Sequence, residues 1–367
     1  MIVSAAVART PDGDFSIERL EIDAPRDDEI LVRVAAVGIC HTDIVFKTRE
    51  AIALPAVFGH EAAGTIMATG SAVSAAFSVG DHVALTFRSC GTCDRCVAGS
   101  PAYCRSMPQL NYAGRRPDGS MALHAAQSDV ASNFFGQSSF ATHCLAYERN
   151  VVKIPADLPL ELMGPLGCGV QTGFGAVRRS LACPAGSSIL ILGCGPVGLS
   201  AVMAAAIQGC SPIIVLEPFR QRRELALELG ATHALGPAYT DDLGRAIKAI
   251  HGTGVDFVLD TTGSPSLIER ALQTLGSQAT LGLVGIFPRG ATLPGELNNL
   301  ITFGHSIKGI IEGDSDPSIS IPEMISFYRE GRLPIDRLVR TYPFNDINRA
   351  VADQARGDCI KAVLLMD

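Results

Sequence analysis

The chain has 367 residues, of which 18% are charged and 47% are hydrophobic, so it has a globular composition and the length for about two domains. Its 30 Lys and Arg residues against 37 Asp and Glu residues give a net charge of −7. This balance disfavours the basic surface that nucleic-acid binding requires, and the composition is far from that of a disordered chain.

The chain start and the cysteines indicate the cellular compartment. Residues 1–10 hold no basic segment followed by a long apolar run, so we predict no signal peptide. The chain has eleven cysteines, an odd number, which favours metal binding or chemistry over a disulfide framework. We therefore expect a cytoplasmic protein.

The first part of the chain predicts short strands separated by tight turns. The strand candidates are Glu29–Val37, Ala63–Thr69 and His82–Phe87. Strands this short and this close together indicate a compact, β-rich, barrel-like domain.

From about Gly175 onward, the sequence predicts strands that alternate with helices. The strand candidates are Ser188–Leu192, Ile213–Leu216, Val255–Asp260 and Ala279–Val284, and the helix candidates are Leu199–Gln208, Arg220–Leu229 and Leu267–Leu275. This alternation is typical of βαβ units and a parallel sheet. One further helix, Ile321–Gly331, and a late strand, Lys361–Leu365, follow.

The apolar stretch 189–216 could be mistaken for a membrane helix. Four glycines and two prolines interrupt it, which favours a buried strand, a glycine turn, a buried helix and a second buried strand. We therefore expect no membrane association.

Four cysteines form one cluster with the spacing C-x2-C-x2-C-x7-C. They are Cys90, Cys93, Cys96 and Cys104. Four thiolates this close in sequence can surround one zinc ion without closing a long loop. Because four protein ligands leave no open position, we predict a structural zinc site, with an iron–sulfur cluster as the less favoured alternative.

A second, dispersed set of residues could hold a catalytic metal. Cys40, His60 and Cys168 would supply three ligands and leave a fourth position for water or substrate. Taken singly, each is more often a core residue than a ligand. Thr42 could reach a metal-bound alcohol, Asp43 could hold the second imidazole nitrogen of a ligand histidine, and Glu61 could lie near the metal.

The sequence GCGPVG follows a predicted buried strand and precedes an Ala-rich helix. In this context G-x-G-x-x-G is a dinucleotide-binding signature, in which Gly193 makes the turn, Gly195 admits the pyrophosphate and Gly198 packs against the strand. Glu217, at the end of the next strand, can accept hydrogen bonds from ribose hydroxyls and would repel a 2′-phosphate, which favours NAD. Arg220, Arg222 and Arg223 follow it; a solvated helix face is their simpler interpretation.

Together these motifs resemble the zinc-containing medium-chain alcohol dehydrogenases over essentially the full chain. The matching motifs are GICHTD at 38–43, GHEAAG at 59–64, the cysteine lobe at 90–104, GCGV at 167–170 and GCGPVG at 193–198. Longer runs at 110–120, 134–155 and 309–317 resemble the aryl-alcohol (benzyl alcohol) dehydrogenase branch, which also includes terpenoid alcohol enzymes.

This resemblance implies an α/β fold with two domains. A GroES-like, β-rich catalytic domain would comprise 1–172 and 310–367 and carry the structural zinc lobe at 90–104. A Rossmann domain with a doubly wound parallel sheet would comprise 173–309 and bind NAD. The resemblance also implies a homodimer or homotetramer.

The same resemblance implies a role for each candidate residue. Cys40, His60 and Cys168 would hold the catalytic zinc, with Glu61 as a nearby acid, while Asp43 would orient His60 and Thr42 would carry the substrate proton. The residues expected at the cofactor are Gly193, Gly195, Pro196, Val197, Gly198, Glu217, Arg222, His41 and Lys361. The candidates for an apolar substrate pocket are Phe46, Phe87, Phe140 and Ile286, for which core packing is an equally good interpretation.

One position departs from the pattern of the wider family. Many members have a histidine three residues after the threonine, where it ends a proton relay, but here that position is Val45. The last proton transfer would then pass through the ribose hydroxyl to His41 or to water, and the sequence leaves both routes open.

The expected reaction is oxidation of a primary aromatic or allylic alcohol to its aldehyde by hydride transfer to NAD, with two zinc ions per subunit. A polyol or thiol-adduct dehydrogenase on the same scaffold is the first alternative. A zinc- and nucleotide-binding protein without catalysis is a more remote one.

Overall fold

The structure, a computed structural model, describes residues 1–126 and 128–366 and divides into two compact units. The catalytic unit comprises Met1–Gly169, Asp316–Ser326 and Pro334–Asp367. The nucleotide-binding unit comprises Val170–Ser315 and Phe327–Leu333. No helix in the described ranges is long and apolar enough to cross a membrane.

The strands and helices are numbered in chain order. The strands are β1 (Ile2–Ala8), β2 (Phe15–Ile22), β3 (Glu29–Gly38), β4 (Ala56–Val57), β5 (Glu61–Thr69), β6 (His82–Leu85), β7 (Leu123–Ala125), β8 (Ser128–Val130), β9 (His143–Tyr147), β10 (Val151–Lys153), β11 (Ile189–Leu192), β12 (Ile213–Leu216), β13 (His233–Leu235), β14 (Val255–Asp260), β15 (Leu275–Leu283), β16 (Ser306–Gly309), β17 (Val339–Pro343) and β18 (Lys361–Leu365). The helices are α1 (His41–Thr48), α2 (Asp94–Val97), α3 (Met107–Asn111), α4 (Leu160–Met163), α5 (Gly169–Gly175), α6 (Pro196–Gln208), α7 (Arg220–Glu228), α8 (Leu243–Ile250), α9 (Pro265–Leu272), α10 (Leu297–Phe303), α11 (Pro317–Arg329) and α12 (Ile347–Arg356).

Two sheets form the catalytic unit, which confirms the predicted β-rich domain. One has the order β4-β1-β2-β7-β8; the other has the order β10-β6-β5-β3-β18-β17, with β9 also paired to β3. The antiparallel pairing of β3 with β5 places Gly38 opposite Glu61. This register brings the chain just after β3 and the chain just before β5 to the same edge of the sheet.

The nucleotide-binding unit contains a parallel sheet with the order β13-β12-β11-β14-β15-β16, as the alternating pattern predicts. The apolar stretch 189–216 forms β11, α6 and β12, all largely buried, and is therefore not a membrane helix. The strand order reverses between β11 and β14, and ligands of such sheets bind outside the carboxyl ends of the strands at that point.

Several elements differ from the sequence-based expectation. Strands β1 and β2, with β7 and β8 beside them, were not predicted, because their small and charged residues give little apolar alternation. The predicted helix Leu267–Leu275 instead begins at Pro265, and Leu275 starts the next strand. Proline favours the first turn of a helix because its missing N–H has no partner there in any case.

A buried ion pair joins two parts of the catalytic unit. The Arg116 guanidinium donates to both carboxylate oxygens of Glu29, at 2.7 and 3.0 Å, and to Asp23 at 2.6 Å. The side chains of Arg116 and Glu29 are 2% and 1% exposed. The Tyr147 hydroxyl also donates to Glu29, so this carboxylate is fully hydrogen-bonded away from water.

We predict that Arg116→Met lowers the free energy of unfolding by about 3 to 5 kcal/mol, because it leaves the buried Glu29 carboxylate without its counter-charge. Denaturant unfolding followed by circular dichroism measures this change. The matched control is Arg26→Met, since Arg26 pairs with Asp118 at the surface, with side chains 44% and 55% exposed. The control should cost no more than about 1 kcal/mol, and an equal loss in both variants would contradict the prediction.

Candidate functional site

The four-cysteine cluster lies in the loop around α2. The sulfur atoms of Cys90, Cys93, Cys96 and Cys104 all lie within 4.8 Å of one another. Backbone N–H groups of the same loop point at the sulfurs: the N–H of Cys93 donates to Cys90 at 3.3 Å, and that of Cys90 donates to Cys104 at 3.2 Å. This arrangement of thiols and N–H donors fits a tetrahedral zinc ion.

The thiols of this lobe differ in acidity. A backbone hydrogen bond at Thr92 is the main cause that lowers the pKa of Cys90 to about 6, whereas burial raises the pKa of Cys96 to about 12. A zinc ion bound here would offset the effect of burial at Cys96, since a coordinating thiol loses its proton.

The second cluster lies at the sheet edge where β3 ends and β5 begins. Cys40 follows β3, His60 precedes β5, and Cys168 lies where α5 begins. Their ligand atoms and one carboxylate oxygen of Glu61 lie within 4.8 Å of one another. The structure thus brings together the three residues predicted as ligands of the catalytic metal, although they lie far apart in the sequence.

Asp43 orients two of these three residues. Its buried carboxylate accepts hydrogen bonds from His60 Nδ1 at 2.8 Å, from the Gly59 N–H at 3.0 Å and from the Cys40 N–H at 2.9 Å. In the neutral imidazole the proton therefore lies on Nδ1, which leaves the lone pair of Nε2 available to a metal. His60 Nε2 is buried and has no hydrogen-bond partner among the described residues, which is what a metal ligand requires.

Electrostatics within the cluster favours a thiolate and a cation. A hydrogen bond from Cys168 and the nearby His60 lower the pKa of Cys40 well below its usual value, against the effect of burial. Burial by itself lowers the pKa of His60, but the Asp43 carboxylate and Cys40 outweigh it and raise that pKa.

Glu61 is paired with a lysine from the other end of the chain. Lys361 Nζ donates to a Glu61 carboxylate oxygen at 2.6 Å and to the Ile39 carbonyl at 3.0 Å, and the Gly169 N–H donates to the other Glu61 oxygen. Burial raises the pKa of Glu61, while the Glu61 carboxylate raises the pKa of Lys361 despite its burial. Contact of Lys361 with a pyrophosphate stays a prediction.

Helix α1 carries the remaining polar candidates. Thr42 Oγ1 lies 3.5 Å from Cys40 Sγ, at a partly exposed position, and His41 is exposed at the start of the helix. Val45, one turn further along, is buried.

An aromatic cluster surrounds the His60 imidazole. Phe135 stacks on it with 4.3 Å between ring centroids and 20° between planes, and Phe134 meets it edge-on at 5.4 Å. Phe46 contacts Phe134 at 5.2 Å and Tyr112 at 4.9 Å, so the rings pack into one continuous cluster that extends from the buried Phe134 and Phe135 to the partly exposed Phe46 and Tyr112.

Of the four residues predicted for the substrate pocket, Phe46 belongs to this aromatic cluster. Phe87 is buried, and Phe140 is buried against Phe15, with 5.8 Å between ring centroids. Ile286 lies in the nucleotide-binding unit and is 37% exposed. A pocket role for these last three residues stays a prediction.

Sequence reasoning missed Tyr112, Phe134 and Phe135. They lie in runs of sequence, at 110–120 and 134–155, that carried the branch resemblance, but nothing in the sequence separated them from core aromatic residues.

The glycine turn after β11 has the geometry that its sequence predicts. Gly193 has φ +91°, and a Cβ at Gly198 would come within 1.9 Å of the Gly193 carbonyl oxygen, so neither position tolerates a side chain. A Cβ at Gly195 would meet open space, which leaves room for a ligand. Pro196 and Val197 begin α6, whose N-terminus favours phosphate.

Glu217 lies beside this turn. Its oxygens accept hydrogen bonds from the Cys194 N–H at 2.7 Å and from the Phe219 N–H at 2.9 Å, and each oxygen can accept another from a ribose hydroxyl. The Arg222 guanidinium lies 4.8 Å from the centroid of the Phe219 ring.

Both halves of the chain match known family models. Residues 26–156 match the alcohol dehydrogenase GroES-like domain, and residues 196–330 match the zinc-binding dehydrogenase domain. The chain belongs to the zinc-binding alcohol dehydrogenases. This membership confirms the resemblance seen in the sequence and the two-domain fold.

Relatives of this alcohol dehydrogenase match it along its whole length. Geraniol dehydrogenase of Castellaniella defragrans is 46% identical over 98% of this chain and 97% of its own. The structure of benzyl alcohol dehydrogenase from Acinetobacter calcoaceticus has a TM-score of 0.96 at 41% identity, covering 100% of both chains. An alcohol dehydrogenase zinc-binding domain protein from Burkholderia ambifaria has a TM-score of 0.97 at 47% identity, covering 100% of this chain and 99% of that one.

Zinc and NAD are the cofactors of this family, and the described residues fit both. The orphaned Nε2 of His60 beside two thiols suits zinc, and the open space at Gly195, at the N-terminus of α6, suits a pyrophosphate.

We predict two zinc ions per chain, each lost independently. Cys168→Ala should retain one zinc and lose turnover, because only the cluster at His60 loses a ligand. Cys93→Ser should retain one zinc and unfold more easily, because a structural site contributes to folding. Mass spectrometry of the metal content, with Cys144→Ala as a buried control outside both clusters, measures this. Two zinc ions in Cys168→Ala would contradict the assignment.

Proposed function

We propose that this alcohol dehydrogenase oxidises primary aromatic or allylic alcohols to aldehydes with NAD, at a zinc ion held by Cys40, His60 and Cys168. The observation that carries this proposal is the aromatic cluster that packs directly on the ligand His60. The partly exposed rings of this cluster, Phe46 and Tyr112, offer a flat, polarisable face that suits a substrate whose hydroxyl-bearing carbon is attached to a ring or a double bond.

The relatives support the same substrate class. One acts on geraniol and another on benzyl alcohol, by their names, and each matches nearly the whole chain. An S-(hydroxymethyl)glutathione dehydrogenase of Saccharomyces cerevisiae is 31% identical, and the aromatic cluster favours the apolar alcohols over such a charged, polar substrate.

When bound, zinc supplies a Lewis acid that lowers the pKa of the substrate hydroxyl, and NAD supplies the hydride acceptor. Asp43 keeps the His60 proton on Nδ1, so that Nε2 stays available. Thr42, with its hydroxyl next to Cys40, takes the proton that leaves the substrate.

The proton must then leave Thr42 without help from Val45, since an alkyl side chain can neither donate nor accept one. His41 is the exposed titratable group at the same end of α1, and we assign to it the transfer to solvent. Glu61 stays beside the zinc site, where Lys361 and the Gly169 N–H hold its carboxylate by hydrogen bonds.

Glu217 sets the preference for NAD over NADP in this proposal. Its carboxylate is 3% exposed and fixed by two backbone N–H groups, so it cannot move away from a 2′-phosphate. We also place the enzyme in the cytoplasm, because both zinc sites need reduced thiols and no disulfide joins any of the eleven cysteines, which all lie among the described residues.

We further propose that the enzyme is a dimer joined through the nucleotide-binding unit. Strand β16 lies at one end of the parallel sheet in the described chain, where a strand of a second copy could be added. Helix α10, just before it, exposes 74% of Leu297 and 81% of Ile301. A second copy can cover both features symmetrically, as closed dimers do.

The substrate test uses initial rates with benzyl alcohol, geraniol, ethanol and sorbitol. We predict that Phe46→Ala lowers kcat/KM for benzyl alcohol and geraniol by at least about tenfold, while the value for ethanol changes little, because only the larger substrates contact the aromatic cluster. Phe15→Ala is the control, since it removes a buried ring outside the cluster at His60. Preference for sorbitol in the unmodified enzyme, or equal loss on all alcohols, would overturn the proposal.

The dimer test measures mass by light scattering. Ile301→Asp should convert the dimer to a monomer, because it places a carboxylate in the proposed interface. Ile319→Asp is the matched control, since Ile319 is 58% exposed on α11. A monomeric unmodified enzyme, or dissociation by the control variant alone, would refute this interface.

A further inference from the structure

Phe135 has an unusual backbone conformation. Its φ of 53° and ψ of 29° lie in the left-handed region, which residues other than glycine rarely adopt. Such conformations persist only where the surrounding structure enforces them, and they concentrate at functional sites. The ring is buried, so this strain is not a surface feature.

The backbone around Phe135 is held by buried side-chain amides. Asn150 Nδ2 donates to the Phe135 carbonyl at 3.0 Å and to the Gly136 carbonyl at 3.2 Å. Gln137 Nε2 donates to the His60 carbonyl at 3.0 Å and to the Thr86 carbonyl at 3.1 Å. The loop that holds Phe135 in this conformation is therefore also hydrogen-bonded to the main chain of His60.

The contacts of Asp43 and Phe135 act on the His60 imidazole in different directions. The Asp43 carboxylate binds Nδ1 in the plane of the ring, at 2.8 Å. The imidazole can still roll by small angles about its Cβ–Cγ bond, because a hydrogen bond to one ring nitrogen tolerates modest misalignment. The Phe135 ring lies against its face, with 4.3 Å between centroids and 20° between planes, and blocks that roll.

We propose that Phe135 is a positioning residue for the catalytic metal: its ring fixes the plane of the His60 imidazole so that Nε2 faces the sulfur atoms of Cys40 and Cys168. This inference rests on the metal site proposed above. The proposed role of Phe135 is contact with the face of the His60 ring. This contact is separate from the hydrogen bond of Asp43 and from any contact with substrate.

The experiment compares zinc release from the loaded enzyme to an excess of chelator. Phe135→Leu keeps an apolar side chain but removes the flat face, and it should release one of the two zinc ions at least about tenfold faster, the scale of loss when a partner of a metal ligand is removed. The absorption spectrum of the cobalt-substituted protein should shift in parallel. Phe135→Tyr keeps the aromatic face and should behave like the unmodified enzyme.

Control variants separate positioning from general destabilisation. Phe15→Leu removes another buried ring of the same unit, so its zinc release should match that of the unmodified enzyme. Phe135→Met, which fills the space with a flexible side chain, repeats the test should Phe135→Leu fail to fold.

Three results would overturn the inference: unchanged zinc release and spectrum in Phe135→Leu, equal acceleration in Phe15→Leu, or equal acceleration in Phe135→Tyr. Cys168→Ala distinguishes this failure from failure of the metal site itself. Loss of one zinc from Cys168→Ala, with none of the expected change in Phe135→Leu, would remove this inference and leave the proposed function intact. Retention of both ions in Cys168→Ala would remove both.

Discussion

The candidate metal site of this enzyme depends on the buried carboxylate of Asp43. A charge with no exposure to water is stable only when it is fully hydrogen-bonded, and here the donors come from the residues being organised: Cys40, Gly59 and His60. The register of β3 and β5 brings the segment after β3 and the segment before β5 to one sheet edge. Asp43 then joins these two segments through individual hydrogen bonds.

Local patterns made much of the enzyme predictable from its sequence. The zinc lobe can be predicted from the spacing of the four cysteines between Cys90 and Cys104. The glycine turn can be predicted from a strand, three glycines and a helix in succession. The fold class followed from the alternation of buried strands and helices after Gly175, which the parallel sheet confirms. Cys40, His60 and Cys168 each resemble core residues when taken singly, and only their combination with the other motifs indicates a metal. Their proximity depends on the register of the sheet, which the sequence does not show.

The aromatic cluster could not be predicted in the same way. Whether a phenylalanine lines a site or fills a core depends on where its ring points, and for Phe135 that direction results from a positive φ enforced by Asn150 and the neighbouring loop. Phe140, equally apolar in sequence, is instead buried against Phe15. Strands β1 and β2 could not be predicted for a related reason. They are defined by their pairing with each other and not by apolar alternation.

The order of segments along the chain constrains how the enzyme matures during synthesis. Lys361 follows Glu61 by 300 residues, and β18, which carries it, pairs with β3. Cys40, His60 and Cys168 are therefore synthesised well before Lys361, the cation that neutralises Glu61. The nucleotide-binding unit lies between Cys168 and Lys361 in the sequence and can fold as a unit before Lys361 is synthesised. Charge balance beside the candidate metal site is thus reached only after Lys361 has been synthesised.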